Sequence, residues 1–266
     1  MENWIWEEAR QVPVLGEYDV IVAGGGIAGI AAAASARRAG AKRVLLIEKQ
    51  FLLGGLATLG LVTIYLPLCD GEGRQVTFGM AQELLELSIS LGAEVPLPEC
   101  WAPGGSLEQR RQHRMRAQYN AGLMCLLSEQ WLQKEGVEIL YGTALCGAQV
   151  ENGRIQAVIC ENKSGRVAYR AGSFVDATGD SDLCVLAGEK TAEFGQGNIL
   201  AGWYYDTKDG INTLHPLGAA DVPDCEKTEA QREADRRSRR YRGLEGAELS
   251  QMVQNAHQMT MAHFLK

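Results

Sequence analysis

The chain has 266 residues, of which 46% are hydrophobic, and a formal net charge of −7. This size suffices for one large domain, or for one domain and part of a second. The negative charge argues against a nucleic-acid partner, and the absence of any run of ~20 apolar residues argues against a membrane span. The acidic N-terminus has no signal-peptide pattern, so we expect a cytoplasmic protein.

The seven cysteines are scattered, and no two of them form a Cys-x-x-Cys pair. This spacing predicts no metal site, no iron–sulfur ligand set and no redox dithiol. The odd number and the missing export signal also argue against a disulfide framework. We therefore expect most of the cysteines to be small, buried apolar residues.

The first predicted elements are a strand, a glycine turn and a helix. Val20–Ala23 is wholly apolar, which is typical of a parallel strand buried on both faces. Gly24, Gly26 and Gly29 then follow the pattern Gly-x-Gly-x-x-Gly. These glycines allow a tight turn, a close approach to a pyrophosphate and close helix–strand packing. A helix beginning near Ile27 would present its unpaired N–H groups to a phosphate.

The second strand ends at an acidic residue. Glu48 lies 19 residues beyond Gly29, where a carboxylate can accept hydrogen bonds from both hydroxyls of a ribose. An acid at this position disfavours the 2′-phosphate of NADP, so NAD and FAD remain. A glycine-rich turn without a ligand is the alternative, and the flanking strand, helix and acid argue against it.

The segment after the second strand favours FAD over NAD. Gly54 and Gly55 would let the backbone run close to an extended pyrophosphate–ribityl chain. Thr58 can offer a hydroxyl to the same chain. A simple NAD domain has no need for a double glycine, a small residue and a threonine at this place.

The middle of the chain alternates between helical and strand-like patterns. We predict an amphipathic helix over residues 76–92, a loop over 96–106, a helix over 117–135, a strand over 137–145, a turn over 151–154 and a strand over 155–159. The apolar strand Phe174–Asp176 then runs into a second glycine turn. Such turns lie at the carboxyl edge of a parallel sheet, where ligands bind.

The pattern changes after residue 188. We predict a strand over residues 199–205, a polar, turn-rich stretch over 206–225 and a charged, solvated helix over 226–242. The last predicted helix has a core-facing apolar stripe of Leu249, Met252, Val253, Ala256 and Met259.

Taken together, the motifs resemble the FAD-dependent oxidoreductases among the glutathione-reductase-like flavoproteins, and within them the relatives of fumarate reductase and heterodisulfide reductase flavoprotein subunits. The resemblance rests on Ala9–Val14, Gly24–Gly29, Glu48–Lys49, Gly54–Thr58, Asn152–Ile155 and Asp176–Asp180. It implies an α/β fold: a Rossmann-like FAD-binding domain with a parallel sheet over residues 14–190, with an inserted β-hairpin region. Residues 191–266 would begin a cap or substrate domain.

The resemblance also implies noncovalent FAD, and hydride or electron transfer to or from a small organic substrate. The fingerprint glycines would contact the pyrophosphate, Glu48 the adenosine ribose and the backbone at Leu145 the adenine edge. The expected cofactor-binding residues are Gly24, Gly25, Gly26, Ile27, Ala28, Gly29, Glu48, Lys49, Gly54, Gly55, Ala57, Thr58, Leu145, Ala177, Thr178, Gly179 and Asp180. No side chain is nominated as catalytic.

Related flavoproteins have a later Gly-Asp segment that helps to bind the ribityl chain and the isoalloxazine, and we find none before Lys266. We therefore expect a C-terminally truncated chain with a complete adenosine half of the site. One alternative is a non-catalytic FAD-fold protein, or a subunit that needs a complementary chain or another copy. A second is an NAD-dependent dehydrogenase. A tRNA-modifying flavoprotein is disfavoured by the negative charge.

Overall fold

The computed structural model describes residues 4–218 and 227–266. The chain divides into two compact units, Met1–Thr191 and Ala192–Lys266. Each unit has its own strands and helices. Within the described residues, no helix combines the length and the apolar character that crossing a lipid bilayer requires.

The first unit alternates strands and helices. Its strands are Val14–Ala23 (β1), Val44–Ile47 (β2), Ile64–Tyr65 (β3), Ala117–Gln118 (β4), Glu138–Leu140 (β5), Ala144–Glu151 (β6), Arg154–Asn162 (β7) and Gly165–Asp176 (β8). Its α-helices are Ile27–Arg38 (α1), Met80–Ile89 (α2), Leu107–Gln112 (α3), Ala121–Lys134 (α4) and Asp182–Leu186 (α5). Short 3₁₀ turns lie at Gly55–Ala57 and Glu99–Trp101.

A six-stranded sheet organises this unit, with the strand order β5–β2–β1–β8–β7–β6. The pairs β5–β2, β2–β1 and β1–β8 are parallel, whereas β8–β7 and β7–β6 are antiparallel. Helix α1 connects β1 to the parallel strand β2, which is the connection that parallel pairing requires. The predicted α/β class with a parallel sheet and a β-hairpin is confirmed.

The end of β1 and the whole of β2 are buried on both faces. Val22 and Leu46 pack against α1 and α4 on one face, while Ile21 and Leu45 pack against β7 and α5 on the other. All four of these side chains are at most 3% exposed. Adjacent residues of a strand point to opposite faces. Because both faces are buried here, Val20–Ala23 of β1 contains no polar residue.

Two predicted elements of the middle region have different bounds in the structure. The helix predicted over residues 76–92 spans only Met80–Ile89, because Gly79 takes a positive φ of 63° and the Val76 amide bonds to the Leu68 carbonyl. The helix predicted over 117–135 begins at Ala121. Its first residues form β4 instead, and Asn120 caps the helix by accepting a hydrogen bond from the Leu123 amide at 3.0 Å.

The single strand predicted over residues 137–145 was also wrong. Gly142 has a φ of 56° and separates β5 from β6, which lie at opposite edges of the sheet. The predicted turn that follows is correct, because β6 and β7 form a hairpin closed by Glu151 and Arg154. Asn152 and Gly153 both have a positive φ there, as a two-residue hairpin turn requires.

In its described residues, the second unit contains a β-hairpin and two α-helices. Its elements are Ala201–Lys208 (β9), Ile211–Gly218 (β10), Glu229–Arg237 (α6) and Gly246–Phe264 (α7). Strands β9 and β10 pair in antiparallel fashion through a turn at Asp209 and Gly210. The polar, turn-rich stretch predicted over residues 206–225 is therefore wrong in its described part: residues 206–208 end β9, residues 209–210 form the turn and residues 211–218 form β10. Residues 219–225 of that prediction lie outside the described residues.

The predicted core-facing stripe of the last helix was wrong. Helix α7 has no buried residue, and Leu249 and Val253 are 42% and 49% exposed. Met252, Ala256 and Met259 are half-buried. The periodicity gave the helix correctly, but the helical pattern alone does not say how completely a partner covers it.

Candidate nucleotide-binding site

Three turns meet at the carboxyl ends of β1, β2 and β8. The Gly24 amide, just after β1, donates to the Ile47 carbonyl at 2.8 Å. The Ala177 amide, just after β8, donates to the Ala23 carbonyl, also at 2.8 Å. These bonds place the glycine turn between the other two turns, at the edge of a parallel sheet where ligands bind.

Gly24 and Gly29 are required by close backbone contacts. Gly24 has a φ of 101°, and a Cβ atom there would lie 2.3 Å from the Ala177 carbonyl oxygen. A Cβ atom on Gly29 would lie 1.8 Å from the Gly24 carbonyl oxygen. The third glycine of the pattern therefore lets α1 pack against the turn that precedes it, as the sequence pattern predicts.

Gly26 lies beside open space at the beginning of α1. A Cβ atom at this position would have no neighbour within 4 Å, and no side chain caps the helix there. Gly26 also forms a parallel bridge with Gly54, and the Gly54 amide donates to the Gly25 carbonyl at 2.8 Å. The two glycine segments thus run side by side. Of the first helical residues, Ile27 is half-buried and Ala28 is exposed.

Glu48 lies directly after β2 and is only 8% exposed. Its Oε2 accepts a hydrogen bond from the Gly25 amide at 2.7 Å, and its Oε1 accepts one from the Gln50 amide at 2.7 Å. Each carboxylate oxygen has a second lone pair that these bonds leave over. The carboxylate therefore ties the second turn to the first and keeps acceptor capacity. The neighbouring Lys49 is exposed.

The loop of Gly54–Thr58 is held by internal contacts. Gly54 has a φ of 106°, and a Cβ atom there would lie 2.4 Å from the Thr58 methyl group. The Thr58 hydroxyl is buried and donates to the Leu53 carbonyl at 2.6 Å. Because its proton is used inside the loop, the structure places Thr58 as a support for Gly54. Direct contact of this hydroxyl with a cofactor stays a prediction.

The third turn depends on Asp176, which the sequence analysis did not select. Its carboxylate accepts hydrogen bonds from the Thr178 amide at 3.0 Å, the Thr178 hydroxyl at 2.7 Å and the Cys184 amide at 2.9 Å. Burial alone would raise the pKa of Asp176, but these hydrogen bonds outweigh it and the pKa is lowered. Gly179 and Asp180 are exposed beyond this turn. The spacing Asp-x-Thr could have indicated this role from the sequence, because an Asp side chain often accepts a hydrogen bond from the backbone two residues later.

Leu145 follows a short segment that is hydrogen-bonded to the second turn. The Thr143 amide donates to the Glu48 carbonyl at 3.1 Å, and the Gly142 amide donates to the Gln50 carbonyl at 3.1 Å. Leu145 follows Thr143 by two residues and packs against the core cluster that contains Ile47. The structure therefore brings together the turns after β1, β2 and β8 and the beginning of β6.

Comparisons with known proteins identify the family of the chain. The family model described as FAD dependent oxidoreductase matches residues 19–252. The chain belongs to this family. The resemblance seen in the sequence is thereby confirmed, and FAD is the cofactor that the membership indicates. An NAD-dependent dehydrogenase is accordingly disfavoured.

Two relatives are similar to parts of the chain. A thioredoxin reductase from Ureaplasma parvum is 36% identical over 74 residues, which cover 28% of this chain and 24% of that protein. A solved geranylgeranyl bacteriochlorophyll reductase-like protein from Thermoplasma acidophilum has 17% identity and a TM-score of 0.50, covering 77% of this chain and 57% of that one. The chain thus spans less than two thirds of either relative, and the second match bears on the fold alone.

Proposed function

We propose that the turns after β1, β2 and β8 bind FAD noncovalently, and that the protein is an FAD-dependent oxidoreductase acting on a small organic substrate. The observation that carries this proposal is the open space beside Gly26, at the beginning of α1 and within a frame formed by Glu48 and Gly54. This frame fits a dinucleotide, because it offers a glycine backbone, a helix N-terminus and an acid in one place.

Each part of the frame has a proposed role. The pyrophosphate would lie against Gly24–Gly29, where helical N–H groups and the helix dipole favour an anion. Glu48 would accept hydrogen bonds from the adenosine ribose hydroxyls, and the backbone at Leu145 would meet the adenine edge. The Gly54–Thr58 loop would line the path toward the flavin, and the turn Ala177–Asp180 would close the adenosine side.

When bound, FAD supplies hydride or electron transfer, and the protein supplies binding and orientation. The chain's own contribution at this site is positional. Gly24 and Gly29 bring backbone atoms into close approach, and Glu48 fixes two turns while it presents lone pairs. No histidine lies between Glu48 and Thr58, which supports noncovalent attachment. We assign no catalytic residue.

The test is an absorbance spectrum of the purified chain before and after FAD is added, followed by gel filtration. We expect the flavin bands to co-elute with the protein. Gly26→Ala should keep the fold, because its Cβ meets open space, and should weaken FAD binding by about tenfold, since the methyl group would occupy the approach to the pyrophosphate. Gly172→Ala in β8 is the matched control, because its Cβ would make only a 3.4 Å contact with the Asp19 carbonyl.

If no flavin co-elutes with the unmodified chain, even after FAD is added, the proposal is contradicted. Equal affinities of the Gly26→Ala and Gly172→Ala variants would contradict the placement of the pyrophosphate. Titration with NADH in place of FAD would separate the two nucleotides, and a clear preference for NADH would also contradict the proposal.

A second candidate function is that of a subunit whose flavin site another chain completes. Large apolar side chains are exposed in and beside the Gly54–Thr58 loop: Phe51 is 83%, Leu56 76% and Leu66 75% exposed. Such a group of apolar residues is typical of surfaces that another molecule covers. This candidate function requires either a stable oligomer or weak FAD binding by the monomer. Light scattering with and without FAD tests it, because the molar mass shows which species is present.

A further inference from the structure

We propose that Tyr119 is a positioning residue for the flavin side of the cofactor site, an inference that rests on the proposed function. Tyr119 is 3% exposed. Its hydroxyl lies 3.0 Å from the Ala57 carbonyl oxygen and 3.0 Å from the Val62 carbonyl oxygen. A phenol has one proton to donate, so the two carbonyl groups share it. This single hydroxyl therefore connects both ends of the segment 57–62.

Tyr119 itself is fixed on both sides. Its amide donates to the Thr63 carbonyl at 3.1 Å, and it follows β4, which pairs with β3. The next residue, Asn120, caps α4. The phenol therefore extends from a rigid junction between a strand and a helix, and it can hold the segment 57–62 in one position.

Other hydrogen bonds of the segment 57–62 go to residues just before it: the Ala57 and Val62 amides donate to the Gly54 and Leu56 carbonyls, and the Thr58 hydroxyl donates to the Leu53 carbonyl. Tyr119 instead connects the segment to an element distant in sequence. Leu59 is 53% exposed, and Leu61 takes a positive φ of 55°, which is unfavourable for a residue with a side chain. The Leu61 amide bonds to the Thr58 carbonyl at 3.1 Å, but this bond lies within the segment. Loss of the Tyr119 hydroxyl should let the segment take other positions, so that only a fraction of the molecules present the arrangement for FAD.

The apparent dissociation constant for FAD rises as the fraction of molecules in the binding arrangement falls. FAD and ADP should respond differently. ADP contains the adenosine and pyrophosphate parts, which meet Gly24–Gly29 and Glu48 in the proposed function, but it has no flavin to reach the segment 57–62. A general loss of folding would weaken both ligands alike, whereas a positioning role predicts a loss for FAD alone.

Tyr65 provides the matched control. Its hydroxyl donates to the Ala81 carbonyl at 2.6 Å, so it also binds a main-chain oxygen. Its ring lies 6.4 Å from that of Tyr119, in an edge-to-face arrangement. Tyr65→Phe and Tyr119→Phe therefore remove the same atom from the same aromatic pair, but only Tyr119→Phe releases the segment 57–62.

The experiment is calorimetric titration of the full chain and both variants with FAD and with ADP, together with the Tm of each ligand-free protein. We expect Tyr119→Phe to weaken FAD binding by about tenfold and ADP binding by less than about twofold. Tyr65→Phe should leave both affinities unchanged while it lowers the Tm by a similar amount. The absorbance bands of bound FAD should shift in Tyr119→Phe alone, because the surroundings of the flavin change.

Each other outcome overturns the inference. If Tyr119→Phe binds FAD as the unmodified chain does, or weakens FAD and ADP equally, Tyr119 has no positioning role. If Tyr119→Phe fails to fold while Tyr65→Phe folds, the hydroxyl is a requirement for folding and not for positioning. If the unmodified chain binds ADP but not FAD, or binds neither, the proposed function itself fails. This outcome is distinguishable because it is seen without either variant.

Discussion

The central strands of the first unit and the longest helix of the second differ in how closely other residues pack against them. In the first unit the central strands are buried on both faces, and Ile21, Val22 and Leu46 are fully buried. In the second unit the longest helix, α7, has no buried residue. A substitution that adds or removes a side-chain atom in these strands should therefore disturb the packing, whereas α7 should tolerate such substitutions. This difference is typical of a binding scaffold compared with a lightly packed region.

A helical glycine in each unit gives the sharpest test of this comparison. Gly29→Ala in α1 would place a Cβ atom 1.8 Å from a backbone oxygen, and the turn cannot move without leaving the sheet edge. We expect a loss of more than about 3 kcal/mol in the free energy of unfolding, together with loss of FAD binding. Urea denaturation followed by circular dichroism measures the first effect.

Gly246→Ala at the beginning of α7 is the control for that experiment. Its Cβ would have no neighbour within 4 Å, and alanine favours helices more than glycine does by about 1 kcal/mol. We expect an unchanged or slightly higher free energy of unfolding. A comparable loss in both variants would show that the two units do not differ in packing at these positions.

Leucines provide the second test, with a smaller expected effect. Leu46→Ala removes a fully buried β2 side chain that packs against α1, so we expect a loss of about 2–5 kcal/mol. Leu249→Ala removes a side chain that is 42% exposed and should cost less than about 1 kcal/mol. Similar losses, measured by chemical denaturation, would mean that α7 is covered in solution by a partner.

The sequence predicted the parts of the fold that short-range rules determine. The strand over Val20–Ala23, the glycine turn of Gly24, Gly26 and Gly29, and the hairpin turn at Asn152 and Gly153 were predicted from local patterns, and the structure has each of them. The position of Glu48 directly after the second strand was also predicted, whereas its hydrogen bonds from the Gly25 and Gln50 amides were not.

Other features depend on partners distant in sequence and carried no local signal. The break at Gly142 follows from its hydrogen bond to the Gln50 carbonyl, and the place of Tyr119 follows from carbonyl groups about 60 residues earlier. The exposure of α7 depends on what packs against it. Periodicity predicts that a face is apolar, but it does not give the area that is covered.

Glu48 provides a third test that separates binding from stability. Glu48→Gln retains the size of the side chain but replaces one acceptor by an amide group, so the Gly25 or the Gln50 amide loses its partner. We expect a loss of about 1–3 kcal/mol in the free energy of unfolding and about tenfold weaker FAD binding. Glu193→Gln in the second unit, which removes an exposed pair with Arg242, should change neither quantity. Unchanged FAD affinity in Glu48→Gln would contradict the ribose-binding role.

Two carboxylates that accept backbone hydrogen bonds give the smallest and most specific test. The pKa of Asp176 lies below its ordinary value of 3.8, because the bonds from Thr178 and Cys184 outweigh burial. The pKa of Glu248 is lowered from 4.5, first by the bond from the Gly243 amide. A lowered folded pKa means that each group stabilises the fold above its unfolded pKa, and that this contribution is lost as the pH falls through the folded value.

Asp176→Asn should therefore lower the Tm at pH 7 and should differ less from the unmodified chain as the pH falls below about 4. Glu248→Gln should show the same trend with a smaller amplitude, and added salt should reduce it, because solvent reaches the half-buried Glu248 and screens its interactions. Thermal denaturation of both variants from pH 3 to pH 7 measures the difference. A constant Tm difference for Asp176→Asn across this range would mean that its carboxylate does not hold the third turn through its charge, and equal amplitudes in the two variants would remove the contrast between the units.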